Sequence, residues 1–312
     1  MILGIDIGGT KTAFGFVDAK GVVVAKDTIA TTGHTDIDAY VAAVKAAGGA
    51  LMKSAGVAAI TGIGIGAPNG NFYTGEVAFA PNLPWKGIIP LKSLFEQAFG
   101  IQTIVTNDAN AAAMGEKKYG AAQGMKDFIF VTLGTGLGSG FVANGEMIYG
   151  HNGFAGELGH VIVDRSPAAR LCGCGRKGCL ERYASATGIV ITAGLMLAED
   201  KTDSLLRDKI GVLTAKDIHE AAEQNDELAL AIFDYTARIL GQALADAVAI
   251  TEPEAIILFG GLANAGDYIL KPAQHYMEEN LLAIYKGKVK VIRSTIPDND
   301  AAILGAAALI AN

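Results

Sequence analysis

The strongest constraint on the fold is a repeat. Residues 5–21, IDIGGTKTAFGFVDAKG, and residues 131–146, VTLGTGLGSGFVANGE, follow one plan: an apolar strand, a Gly-Thr turn, a strand through Gly-Phe-Val, and a closing turn. A strand–turn–strand unit recurring at long spacing in a chain of 312 residues predicts two related halves, each built on a β-meander. The expected division is a smaller lobe of residues 1–119 plus 297–312 and a larger lobe of residues 120–296.

Local patterns agree with an α/β class. MILGIDIGG, TAFGFVDAKG and VVVAKDT read as antiparallel strands with a turn at Ala19-Lys20-Gly21. A helix is expected over residues 36–55, with Ile37, Val41, Val44 and Leu51 on one face. A buried strand in AAITGIGIGAP follows, then a helix within 87–99, a strand IQTIVTND and a helix in ANAAAMGEKKYG. The second half restarts with DFIFVTLGTG, GSGFVANG and EMIYG. It continues with a helix over 226–251 that presents Leu228, Ile232, Tyr235, Ile239, Ala243 and Ala247. A strand AIILFGG, a helix near 264–283, a strand KVKVIRS and a last helix capped by Asp298 or Asn299 complete the pattern.

Charge narrows the partners. A net charge of -7 leaves no basic stripe to neutralise nucleic-acid phosphates or an anionic membrane. No apolar run reads as a membrane span, and MILGID enters a strand directly rather than a signal peptide. A cytoplasmic location is expected, where thiols stay reduced and a structural disulfide is not favoured.

The 40 glycines gather at strand ends. DIGGTKT (Asp6, Gly8, Gly9, Thr10, Lys11, Thr12) and LGTGLGSG (Gly134, Thr135, Gly136) are hairpin turns whose N–H groups can cradle anions, with hydroxyls and Lys11 adding donors. Neither fits a Walker loop or a dinucleotide fingerprint. A third segment, FGGLANAG with Gly260 and Gly261, moves the reading from structural turns to nucleotide phosphates. Asp6, beside the first turn, can hold Mg²⁺ or stabilise the turn itself. Since parallel-sheet ligand sites lie beyond strand carboxyl ends, the ligand is expected in a cleft between the halves.

All three cysteines fall in CGCGRKGCLE: Cys172, Cys174 and Cys179. The run lacks the C-x-x-C spacing of a redox dithiol, and three thiolates with one histidine would make a closed tetrahedral zinc site. His34, His151, His160, His219 and His275 are the available histidines.

Taken together, DIGGTKT, TNDANAAA, LGTGLGSG, GHNGFAGELGH and CGCGRKGCLE resemble the ROK family of sugar kinases, bacterial ROK glucokinases above all. FGGLA and the closing AAILGAAAL extend the likeness across the chain. The resemblance implies a two-lobed actin-like ATPase (ribonuclease-H-like) fold with an interlobe cleft, in which ATP and a hexose meet. It implies Asp108 as the general base on the sugar hydroxyl; the residues alone favour Asp108 as the cap of the helix that follows it. Asn107, Asp108, Glu157, His160 and Glu181 match the family's sugar-contacting positions, with Asn69 and Asn82 as further candidates. His160 is the histidine the family pattern places on structural Zn²⁺ with Cys172, Cys174 and Cys179. His151 and Asn152 receive no role.

The expected activity is ATP:hexose 6-phosphotransfer, glucokinase-like, with ATP, Mg²⁺ and zinc as cofactors and a homodimer as the family's common assembly. N-acetylmannosamine, N-acetylglucosamine or fructose are the alternative substrates. A sugar-sensing regulator is the alternative class; family regulators carry a DNA-binding extension before the core, and here the first strand begins at Ile2.

Overall fold

The computed structural model describes residues 1–311, which form two compact units. The first comprises Met1–Gly124, Met147–Gly156 and the segment from Thr295 onward; the second comprises Met125–Glu146 and Glu157–Ser294. Residues 147–156, placed by the sequence reading in the larger lobe, belong to the first unit. The Asn71 side-chain amide donates to the Asn152 carbonyl at 2.6 Å, and Phe72 stacks on Tyr149 at 4.0 Å between ring centres.

The first unit opens with β1 (Ile2–Ile7), β2 (Lys11–Val17) and β3 (Val23–Ala30), an antiparallel meander. Helix α1 (Ile37–Ser54) starts at Asp36, whose carboxylate accepts from the Asp38 and Ala39 amides. It buries Tyr40, Val41, Val44 and Gly48, so the expected apolar face turns inward although Ile37 and Leu51 are only half-buried. Then come β4 (Gly62–Gly66), a small β5–β6 pair (Val77–Ala78 and Ile88–Ile89), α2 (Leu91–Phe99), β7 (Thr103–Thr106) and α3 (Asp108–Tyr119). The sheet order is β3-β2-β1-β4-β7, with β4 parallel to β1 and to β7.

The second unit repeats that order. Its strands β8 (Phe128–Leu133), β9 (Leu137–Ala143) and β10 (Glu146–Met147) precede α4 (Glu181–Ala184), α5 (Ala186–Glu199), α6 (Ala215–Glu223) and α7 (Glu227–Thr251). After these come β11 (Ala255–Phe259), α8 (Asp267–Asn280) and β12 (Lys290–Arg293), giving the order β10-β9-β8-β11-β12. The repeat read from two turns is thus a repeat of sheet topology. By length and composition α7 is apolar enough to cross a membrane, contrary to the sequence expectation of no such run. Leu228, Ile232, Phe233, Leu240, Leu244 and Val248 pack it into the second unit's core. Tyr235 and Ile239, expected on its apolar face, are only half-buried.

The last helix, α9 (Asp298–Ala308), returns to the first unit. Neither Asp298 nor Asn299 caps it. Pro297 occupies the cap position without a side-chain bond, and Asp298 and Asp300 fall in the first turn, where acidic charge suits the helix dipole. Helix α9 lies directly on β1 and β4. A Cβ added to Gly64 would stand 1.8 Å from the Ala306 carbonyl oxygen, and one on Gly4 would stand 2.2 Å from that of Ile303. Replacing Gly64 by alanine must therefore push helix and sheet apart. We expect a loss of about 3 kcal/mol or more, and a Tm lower by roughly 6–12 °C in scanning calorimetry.

Candidate active site

In the first unit, parallel register aligns Asp6 of β1 with Gly66 of β4, and Gly66 with Thr106 of β7, two residues before Asp108. Gly66 fills the gap: a Cβ there would lie 3.5 Å from the Asp108 Cα and 3.7 Å from an Asp6 carboxylate oxygen. The two carboxylates therefore share one recess at the carboxyl end of the sheet. Burial, then the neighbouring Asp108, raise the Asp6 pKa to about 6 against the opposing pull of Lys11. Asp108 keeps contact with solvent but is crowded by protein, and this desolvation raises its carboxyl too, opposed by the Ala109 amide.

The helix following Asp108 is capped by its neighbour. Asn107 Oδ1 accepts from the Ala109 and Asn110 amides at 2.8 and 3.4 Å, so Asn107 supplies the cap that Asp108 could have supplied. Asn69 adopts φ +54° and gives its side-chain amide to the Ala78 carbonyl at 2.9 Å. Gly70, next in sequence, abuts the Thr106 carbonyl, so Asn69 borders the recess. The Asn82 backbone passes against Gly9 of the first turn. That turn closes through the Gly8 amide on the Lys11 carbonyl at 3.0 Å, and leaves Thr10 and Lys11 exposed. Thr12, expected to offer its hydroxyl to phosphate, is a correction. It is fully buried and bonded to Thr31 and Tyr40 at 2.9 and 2.6 Å.

In the second unit, the turn from Leu133 to Leu137 is pinned from behind. The Gly134 carbonyl accepts from the Ala186 amide at 2.8 Å and the Thr135 carbonyl from the Thr187 hydroxyl at 2.7 Å. In trans peptides the carbonyl and the next amide point oppositely, so the Thr135 and Gly136 N–H groups face away from α5. Gly260, at φ +95°, packs on Leu133, and the Leu262 amide donates to the Leu133 carbonyl at 3.1 Å. The two glycine segments of this unit are thus one assembly. Gly261 follows at the same corner, with a short 3₁₀ turn, Ala263–Ala265, before α8; the helix begins at Asp267, later than the expected residue 264.

The cysteine loop lies beside this turn. His160 Nδ1 is 3.8 Å from Cys172 Sγ, Cys174 and Cys179 sulfurs are 3.6 Å apart, and the four potential ligand atoms all lie within 4.8 Å of one another. No disulfide joins them. Gly178, at φ +81°, makes the loop possible, since any Cβ would meet the Asp164 carbonyl oxygen at 1.8 Å. Burial raises the Cys179 thiol to about 12, helped by its bonds with Cys174 and Cys172. At Cys174 burial is outweighed by hydrogen bonds from Arg176 and the other thiols, which bring it down to about 6. Only one thiolate forms easily in such a cluster; a bound cation is what would let all three ionise, so the donor set fits a metal of zinc type. Glu157, exposed, and His160 flank the 3₁₀ turn Leu158–His160, and Gly159 packs on the Leu137 carbonyl. Glu181, at the start of α4, accepts from the Leu137 amide at 3.0 Å. Glu157, His160 and Glu181 therefore surround one turn.

A model of the ROK family matches residues 2–312. The chain belongs to the ROK family. Its two units are the halves of the two-lobed actin-like ATPase fold that ROK sugar kinases share. Among ROK relatives, the glucokinase of Halalkalibacterium halodurans is 38% identical, covering 99% of this chain and 94% of that protein. A ROK glucokinase from Streptomyces griseus, solved with glucose and AMPPNP, superposes with a TM-score of 0.80 at 35% identity, covering 99% of this chain and 98% of that one. A xylose repressor from Caldicellulosiruptor bescii is 29% identical over 80% of this chain and 62% of its own length.

Three features of this ROK site escaped the sequence. Leu137, whose amide meets Glu181, is an ordinary apolar residue by pattern. Asn71 is buried and ties residues 147–156 to the first unit, accepting as well from the Tyr73 and Thr74 amides. Through that bond the Asn152 backbone, given no role from sequence, becomes an anchor, while His151 stays exposed.

The carboxylate pair has a stability consequence. Asp6 binds its proton more tightly folded than unfolded, so its contribution is present in full below the ordinary value of 3.8, is lost as pH rises through about 6, and is flat above. In magnesium-free buffer Asp6→Asn should melt higher than wild type at pH 7.5, by at most about 3 kcal/mol, and the gain should vanish by pH 4. Thermal melts at the two pH values measure it; equal melting at pH 7.5 would contradict the paired-carboxylate reading.

Proposed function

We propose that this chain is an ATP-dependent glucokinase that transfers the γ-phosphoryl group of ATP to the 6-hydroxyl of glucose. The observation that carries the reading is Asp108: a carboxylate just beyond a strand end, sharing the Ala109 amide with the Asn107 cap and raised in pKa by its recess. Full-length similarity to glucokinases supports the substrate.

In this reading Asp108 accepts the proton of the 6-hydroxyl as that oxygen attacks the γ-phosphorus, the bond to the leaving β-phosphate oxygen breaks, and ADP departs. A raised pKa makes the carboxylate a better proton acceptor than an aspartate at its ordinary value. Asn107, Glu157, His160 and Glu181 orient the sugar, with Asn69 and Asn82 at the border of the first unit's recess. The outward N–H groups of Thr135 and Gly136, the Gly260–Gly261 corner, and Gly8, Gly9, Thr10 and Lys11 receive phosphates and nucleotide. The mutual repulsion of Asp6 and Asp108 suits a divalent cation, and Asp6 would hold Mg²⁺, which would supply charge neutralisation for the phosphoryl oxygens. His160, Cys172, Cys174 and Cys179 would hold zinc as a closed crosslink that fixes the loop leading to Glu181.

Two measurements test this. In a coupled ADP assay over a hexose panel, wild type should turn over ATP with glucose and barely without it, and Asp108→Asn should lose at least about 10³-fold in kcat with sugar affinity largely kept. Sugar binding without phosphorylation would instead favour a regulator, the reading that similarity to the xylose repressor raises. For the thiol cluster, Cys174→Ser should lower bound zinc, measured by metal analysis, and raise the glucose KM; a zinc-free variant with unchanged KM would refute the supporting role.

A further inference from the structure

Glu181 sits where two jobs meet. Its Oε2 accepts the Leu137 amide at 3.0 Å, at the first residue of β9 and the end of the Gly134–Gly136 turn. The same oxygen lies so close that a Cβ on Gly136 would approach it to 2.4 Å. Its other oxygen is 3.8 Å from Cys172 Sγ in the cysteine loop. Its backbone is fixed as well: the Ser185 hydroxyl donates to the Glu181 carbonyl at 2.7 Å and accepts from the Gly188 amide at 3.0 Å, capping α5. The next two residues of α5, Ala186 and Thr187, hold the Gly134 and Thr135 carbonyls.

The turn is therefore gripped at three successive peptides by one short stretch, residues 181–187. Two grips hold carbonyls and turn the following amides outward; the third, from Glu181, takes the Leu137 amide inward and ends the run of outward N–H groups. Without that third grip the Gly136–Leu137 peptide can rotate, because glycine on one side imposes no steric barrier. Rotation would scatter the N–H groups that an anion nest needs aligned.

We infer that Glu181 is a positioning residue for the nucleotide's phosphate turn, in addition to its place beside the sugar-orienting residues. The inference rests on the kinase reading, in which this turn receives ATP. It makes the cysteine loop a support for nucleotide binding as well as for sugar binding, because Cys172 and Glu181 pack together.

The test is nucleotide affinity without sugar. AMPPNP binding is measured by titration calorimetry on wild type, Glu181→Ala and Glu181→Gln, each checked for folding by its thermal melt. Glutamine keeps an oxygen that can accept the Leu137 amide, so it should bind AMPPNP within about threefold of wild type, whereas alanine should bind about tenfold more weakly, the loss of one hydrogen bond to a charged acceptor. Glucose KM should rise in both. Alanine binding AMPPNP as tightly as wild type, or glutamine binding no better than alanine, would overturn the inference while leaving the kinase reading intact. If Glu181→Ala fails to fold, the glutamine variant alone decides, with a loss of tenfold or more counting against the inference. No AMPPNP binding by wild type would sink the nucleotide reading, and this inference with it.

Discussion

Two carboxylates held at the ends of nearby parallel strands, with only a glycine between them, set the terms for the first unit. Burial and Asp108 both raise the Asp6 carboxyl, and crowding by protein raises Asp108 although it keeps contact with solvent, which is an unfavourable arrangement for a fold that had no use for it. The unit tolerates the cost because the strands leading to the pair are locked at their middles, at Gly4 and Gly64. Helix α9 packs against β1 and β4 at backbone distance, leaving the sheet little freedom to spread its charges. Around the pair, the Asn107 Oδ1 caps α3, Thr12 bonds within the core, and the Asn69 amide holds the Ala78 carbonyl. What stays uncommitted in the recess is the chemistry.

The second unit solves a different problem with the same sheet. Its glycine turn has no buried charge to manage, and what it needs is rigidity in a segment that glycine makes loose. Residues 181–187 provide it by hydrogen bonds, and the thiol cluster stiffens the approach to them. Arg170 adds a further brace. Its guanidinium donates to the Arg182 and Gly188 carbonyls and to the Thr192 hydroxyl, and lies 4.4 Å over the Tyr183 ring. Sequence order separates these residues by up to 58 positions, from Gly134 to Thr192, yet they behave as one mechanical piece.

Much of this was legible in the residues. Glycine-threonine turns between apolar strands announced the repeated meander, while the shared sheet order is a finding of the structure. The cysteine spacing announced a cluster of donors, since glycines on either side of a thiol let a short loop fold back on itself. What pattern could not supply were contacts made by featureless atoms. The Leu137 amide, the Asn152 carbonyl and the inward turn of Thr12 depend on backbone direction, which no side-chain periodicity encodes. Segment 147–156 was assigned to the wrong half for the same reason: its anchors are an asparagine amide and an aromatic stack, both invisible as periodicity. The cap of α9 was misplaced because an aspartate beside proline reads as a cap, while the chain uses the proline's fixed backbone instead.

The position of α9 also bears on how the protein is made. The helix that seals β1 and β4 is synthesised after the whole of the second unit, although the strands it covers are made before it. On the ribosome the second unit, nearly continuous in sequence, can complete its core while the first still exposes the sheet face meant for α9. The newborn chain therefore carries an unfinished first unit until α9 emerges, and its vulnerability to aggregation or proteolysis is set by the interval between the emergence of β4 and that of α9.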